Sequence, residues 1–184
     1  MRRLFFGLDL PADIKQRLLG VNAPISGAKW QSLEQLHITL LFLGNVKQDR
    51  IAALCDAARN LPVEAFELDV TGLGCFGQPR SPRNLWAGVQ PPDPVAALHG
   101  ALRSRMATLG FAPESRSFRP HITLARFKKQ RGSVEGVLDD HGDSAFGHFA
   151  VSDVVLFESN QGRGGSIYTV IERFPLPVAL IDFP

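Results

Sequence analysis

The sequence predicts a fold of mixed helices and strands arranged as two pseudo-symmetric lobes, and three observations predict it. The tetrapeptide HITL stands at His37–Leu40 and again at His121–Leu124. With five histidines and five threonines in 184 residues, composition alone gives a second copy with odds below roughly one in a thousand. Each copy also lies in a strand-like pattern with a helix-like pattern near it in sequence. The helix follows the motif in the first half and precedes it in the second. That order fits a pair of lobes and not a solenoid, because two copies make no array.

The elements follow from periodicity. Leu4–Leu10 alternates as a strand, and Pro11 then opens a helix whose stripe is Ile14, Leu18 and Leu19. Leu36–Leu43 is a second strand, expected to end at Gly44 and Asn45. Gln48–Leu61 has helical spacing at Ile51, Leu54, Ala57 and Ala58. Phe66–Val70 and Leu85–Val89 are short strands, with the turn-rich GCFGQPRSPRN between them. Asp93–Leu109 is the clearest helix, with Asp93 as cap, Pro94 in the first turn and Gly110 as stop. Its apolar face is Val95, Leu98, Leu102, Met106 and Leu109. His121–Ala125, Val151–Phe157 and Ile167–Phe174 are strands. Lys128–Gly147 is polar and glycine-containing, a long surface excursion.

Composition bounds the class. An apolar fraction of 45% with 21% charged residues suits a globular protein that buries a core. The net charge of +2 leaves no global field, so affinity for an anion must come from local clustering. MRRLFFGLDLP begins like a signal peptide, but Asp9 and Pro11 cut its apolar run short, and no segment approaches a membrane span. Cys55 and Cys75 have neither CxxC nor metal spacing and are expected to be free, buried thiols in a cytoplasmic protein.

Side chains alternate on a strand, so His37 and Thr39 share one face while Ile38 and Leu40 anchor the other, and likewise His121 and Thr123 against Ile122 and Leu124. A single His-x-Thr is ordinary surface alternation; two copies are not, since histidine suits neither a core nor a generic strand face. Two histidines complete no metal site, and neither has an Asp, Glu, Cys or further His at i+2 or i+4. Without a serine or cysteine nucleophile beside them, they suggest a paired general acid and base. Such chemistry suits phosphodiester cleavage, with the threonine hydroxyls donating to phosphoryl oxygens. Between Ser115 and Arg131 stand Arg116, Arg119, Arg126, Lys128, Lys129 and Arg131 with no acidic residue. Arg126, short-tethered to the second motif, is the expected phosphate contact, whereas Lys128 and Lys129 are expected to be solvated. Arg80 and Arg83 sit in the expected exposed loop, GRGG at Gly162–Gly165 in a hairpin turn. Phe5, Phe6, Trp30, Phe42 and Trp86 are expected in the core, with room for one aromatic near the groove to stack a base. His99, His141 and His148 receive no role.

LFFGLDLP, LHITLLFLG, FGQPRSPRNLWAGV and RPHITLAR together resemble the two-histidine phosphoesterases, most of all the LigT-like RNA 2′,3′-cyclic phosphodiesterases of the 2′-5′ RNA ligase family. The likeness covers nearly the whole chain. It implies a bilobal α+β fold over residues 1–184, two antiparallel sheets with helices outside and a central groove. It implies metal-independent, cofactor-free hydrolysis of a terminal 2′,3′-cyclic phosphate on RNA or a small nucleotide; the chain is expected to be a monomer. His37 matches the proton donor, His121 the proton acceptor, Thr39 and Thr123 the phosphate-binding threonines, and Arg126 the arginine that often follows the second motif. Gly7 departs from the alanine common there. Joining of RNA ends through a 2′-5′ linkage, cleavage of 2′-5′ oligonucleotides and non-catalytic binding of RNA ends are the competing readings.

Overall fold

Backbone groups of a strand need partners on both sides, and here nearly all find them antiparallel. The computed structural model describes residues 1–112 and 116–179; Ser115, at the head of the basic stretch, lies outside them. The elements are β1 (Arg2–Leu8), α1 (Ala12–Leu19), β2 (Ala28–Trp30), β3 (Ile38–Val46), α2 (Ile51–Ala57), β4 (Phe66–Gln78), β5 (Ser81–Gln90), α3 (Asp93–Thr108), β6 (His121–Phe127), α4 (Glu135–His141), β7 (Ala145–Val151), β8 (Asp153–Gly162) and β9 (Gly165–Pro175). The strands run in the order β7-β4-β5-β6-β3-β1-β8-β9, with β2 beside β6.

This is an α+β fold with the anticipated pseudo-symmetry. The first motif's strand β3 is followed outward by β1, β8 and β9; the second motif's strand β6 by β5, β4 and β7. The two halves meet where Ile38 pairs antiparallel with Ile122, both fully buried. The halves are therefore one continuous sheet, and the two HITL strands are neighbours in it.

The helices are exchanged between the halves. α1 packs on β7 in the second half, and α3 packs on β3 in the first. The helix that precedes the second motif thus supports the strand of the first.

Several expectations change. β4 and β5 form one long hairpin through most of GCFGQPRSPRN, not two short strands around a loop. Its glycines do not break the strands: Gly77, at φ +87°, is accommodated at a register shift. Gly44 and Asn45 lie inside β3 rather than after it. The helix expected over Gln48–Leu61 is a 3-10 turn at Gln48–Arg50 followed by α2. Lys128–Gly147 holds α4 and the start of β7, anchored by buried Val134, Val137 and Phe146. The strand expected at Val151–Phe157 is broken at Ser152, with Val151 closing β7 and β8 beginning at Asp153. Asp93 is the first residue of α3, not its cap. His99 falls on the buried stripe of α3 between Leu98 and Leu102. Its Nδ1–H donates to the Leu40 carbonyl at 2.7 Å, and its ring stacks on Phe118 with centroids 4.2 Å apart. Both cysteines are free; Cys55 is buried and Cys75 half-buried.

Candidate active site

The sheet pairing places both motifs on one face. Ile38 opposite Ile122 sets His37 beside Thr123 and Thr39 beside His121. All four residues line one groove of about 550 Å3. The two strands lie side by side on its floor instead of facing each other across it.

Each motif carries a bulge at its leucine. On β3, Gly7 of β1 pairs with Thr39 and Phe6 with Leu41, so Leu40 is an extra residue. On β6, Trp86 pairs with Thr123 and Leu85 with Ala125, so Leu124 is extra. A bulge shifts the alternation by one residue. Leu40 and Leu41 therefore both enter the core, as do Leu124 and Ala125. The next residue of each strand, Phe42 or Arg126, returns to the groove face, and both line it. Strict alternation would have turned Arg126 away from His121. Phe42, expected in the core, is 40% exposed beneath the Arg3 guanidinium, which lies 4.8 Å from its ring centroid. Superposing the two HITL copies would have revealed it, because it stands where the second copy has Arg126.

The two imidazoles are held alike. His37 Nδ1–H donates to the Gln35 carbonyl at 2.7 Å, and His121 Nδ1–H to the Arg119 carbonyl at 2.6 Å. Each bond reaches two residues back and fixes the tautomer, leaving Nε2 as the working nitrogen. Thr39 Oγ1 lies 2.8 Å from His37 Nε2. Gln35 is itself locked: it is buried, its Oε1 accepts from the Ser32 backbone N–H at 2.9 Å, and its Nε2–H donates to the Ser166 carbonyl at 2.8 Å. Sequence periodicity offers no signal for that role.

The surroundings of the two rings differ. His37 sits over a small apolar cluster on the groove face, Phe5, Val155 and Phe157 with Tyr168 against them. Its centroid is 5.0 Å from that of Phe5 and 5.1 Å from that of Tyr168. His121 has Phe76 at 5.0 Å and Trp86 at 6.3 Å. Trp86 lies over Gly74, where a Cβ would come within 2.3 Å of the indole, so β4 must have glycine there. Desolvation by this packing, outweighing the stabilising Gln35 carbonyl and reinforced by the charge of Arg126, lowers the His37 pKa to about 4. The same cause lowers that of His121, with Arg119 opposing and Arg126 reinforcing.

Five cations line the groove, Arg3, Lys29, Arg116, Arg126 and Lys128, and no carboxylate does among the described residues. Lys128 is thus part of the groove wall rather than merely solvated, whereas Lys129 does not line it. Arg80 pairs with Glu135 at 2.9 Å, outside the groove. Gly162 and Gly165 close the β8–β9 hairpin as expected. His148 lies exposed between Asp69, at 2.7 Å, and Glu67. No helix among the described residues is long and apolar enough to cross a membrane.

This arrangement gathers two imidazoles, two hydroxyls and five cations in one groove, a setting suited to an anionic ligand. The model of the 2′-5′ RNA ligase superfamily matches residues 16–163 of the chain. An RNA 2′,3′-cyclic phosphodiesterase of Archaeoglobus fulgidus is 30% identical over 94% of this chain and 99% of its own length. One of Thermotoga maritima is 32% identical over 98% and 99%. Among solved structures, E. coli LigT complexed with 3′-AMP superposes with a TM-score of 0.80 at 31% identity, covering 95% of this chain and 98% of that one.

Proposed function

Because the chain belongs to the 2′-5′ RNA ligase superfamily, we propose that it is a hydrolase opening the 2′,3′-cyclic phosphate of RNA or nucleotide ends to a 2′-phosphate. The observation that carries this reading is the pair of Nε2 atoms, each aimed by an Nδ1 bond two residues back, on one cation-lined floor. His121 Nε2 takes a proton from water as its oxygen bonds to phosphorus. The bond from phosphorus to the 3′ oxygen breaks, and His37 Nε2–H protonates that oxygen as it leaves. The product is a 2′-phosphomonoester with a free 3′-hydroxyl, and solvent resets the two imidazoles. Which ring is donor and which acceptor follows the family resemblance.

Thr39 couples to this cycle through its contact with His37. While His37 is neutral, the hydroxyl donates to Nε2. Once His37 is charged, Nε2 no longer accepts, its Nε2–H is free for the 3′ oxygen, and the hydroxyl hydrogen is released to a phosphoryl oxygen. Thr123 holds a second phosphoryl oxygen and Arg126 neutralises the charge developing there. Burial in the free protein opposes the donor role of His37. The arriving phosphate anion must therefore lift His37 above its value of about 4. No metal or cofactor enters these steps. The whole chain acts as one bilobal domain, as a cytoplasmic monomer.

Incubation with a nucleoside 2′,3′-cyclic phosphate, followed by phosphorus NMR against both monophosphate standards, tests the proposal. The 2′-phosphate should predominate. A predominant 3′-phosphate would retain paired-histidine chemistry and reverse the substrate orientation; an unchanged cyclic ester would refute the function.

A further inference from the structure

His37 hangs from a short strap that crosses from one half of the sheet to the other beside the groove. The strap leaves β2 at Gln31, whose backbone N–H donates to the Leu124 carbonyl of β6 at 2.9 Å. It winds through a 3-10 turn at Leu33–Gln35 and reaches His37 at the head of β3. The Gln35 side chain makes the far tie, its Nε2–H donating to the Ser166 carbonyl of β9 at 2.8 Å. β3, β1 and β8 separate β6 from β9. Gln31, Gln35 and Ser166 all line the groove.

A turn this short holds its own shape poorly, because its hydrogen bonds are few and badly aligned. The direction of its last carbonyl therefore depends on what grips it from outside. Gln35 supplies both the grip and the carbonyl. Its Oε1 accepts from the Ser32 N–H at 2.9 Å, its own N–H donates to the Ser32 carbonyl at 3.0 Å, and its carbonyl accepts His37 Nδ1–H at 2.7 Å. The side chain is buried, and the β8–β9 turn closes on it so tightly that a Cβ on Gly165 would lie 3.2 Å from Nε2. The second motif meets the same need covalently. Arg119, whose carbonyl holds His121, is exposed and precedes Pro120, and the proline ring pushes the residue before it towards extended backbone. Leu36, in the corresponding place, imposes no such limit, and two side-chain bonds of Gln35 stand in for it.

We propose that Gln35 is a positioning residue for the proton donor: it makes the orientation and tautomer of His37 depend on the β8–β9 hairpin, while Pro120 sets His121 independently. The donor role rests on the cyclic phosphodiesterase reading; the tautomer does not. With the clamp lost, the Gln35 carbonyl turns from Nδ1 and the neutral ring no longer keeps its proton there. Nε2 then ceases to accept from the Thr39 hydroxyl and meets the leaving oxygen at the wrong angle.

The test combines nitrogen NMR of the rings with kinetics on a nucleoside 2′,3′-cyclic phosphate for two variants. Gln35→Leu removes both side-chain bonds. Gln35→Glu keeps an acceptor for the Ser32 N–H, as a capping position favours, and at neutral pH loses the donor to Ser166; it decides the matter should the first variant fail to fold. In each folded variant, neutral His37 should pass from the single Nδ1–H tautomer to a mixture while the His121 signals stay in place. Its kcat should fall by up to about a hundredfold with KM little changed, the scale of a small misplacement of a reacting group. An unaltered His37 tautomer, or kcat near the wild-type value, would overturn the proposal. So would an equal disturbance of both imidazoles, which marks general loosening, or a raised KM at unchanged kcat, which makes Gln35 a substrate contact. Absence of turnover in the wild type would sink the hydrolase reading alone, and the tautomers would then decide the clamp.

Discussion

His37 and His121 use the same nitrogen for the same bond to a carbonyl two residues back, yet their aromatic neighbours leave them with different shares of water. The unperturbed value of about 6.5 would put both limbs of a paired-imidazole profile near neutrality; burial moves both down, His37 to about 4. Since kcat/KM reports the free enzyme and kcat the complex, kcat/KM should peak on the acid side of 6.5, with the kcat profile displaced upward by the bound anion. Titrating the His37 ring by NMR checks the cause directly. Its midpoint should lie near 4 in the free protein and rise when inorganic phosphate is added; a free-protein midpoint at or above 6.5 would contradict the desolvation argument. The same shift bears on stability. The folded value lies below the unfolded one, so the native state binds fewer protons. Its contribution is therefore intact above about pH 6.5 and is lost as pH falls towards 4. His99 shows how composition misleads at this scale. A histidine receives no place in an apolar stripe read by composition, but a carbonyl acceptor and a phenyl face satisfy it in the core.

At the scale of the element, the two strands were legible up to Thr39 and Thr123, because alternation is a backbone property that sequence displays. Beyond them a bulge inserts one residue, and nothing local to LLF or LAR announces it. Arg126, expected from its short tether to contact phosphate, lines the groove only through a bulge that simple alternation does not contain. The β4–β5 hairpin was misread for a related reason: Gly and Pro punctuate most chains, but here glycine serves a register shift and the seat of Trp86. Gly7 has a similar duty. A Cβ there would lie 2.7 Å from the Ile38 carbonyl and 3.3 Å from the Phe157 ring, where β1 meets β3 beside Thr39. Gly7→Ala should cost about 1–3 kcal/mol through overpacking and lower kcat/KM by shifting Thr39. An unchanged denaturation midpoint would show that the two strands approach less closely than described.

For the whole molecule, duplication was legible and its assembly was not. Two copies of HITL announce a pair of lobes, but the seam at Ile38 and Ile122, and the exchange that sets α3 on β3 and α1 on β7, are long-range pairings without a local signal. Joining the halves in one sheet gathers all four motif side chains on one groove floor. Five cations line that floor and no carboxylate does among the described residues, so nothing in the proposed steps calls for a Lewis acid. Activity should survive excess chelator, and loss on chelation with recovery in a divalent ion would reassign the histidines. The central claim is that two imidazoles act as one acid–base unit. Measuring kcat for His37→Ala, His121→Ala and the double variant, each first shown to be folded, tests it most directly. Each single change should cost about two to four orders of magnitude, and the double variant little more than the worse single, because residues acting as a unit are not additive. Near-normal turnover in either folded single variant would contradict the account.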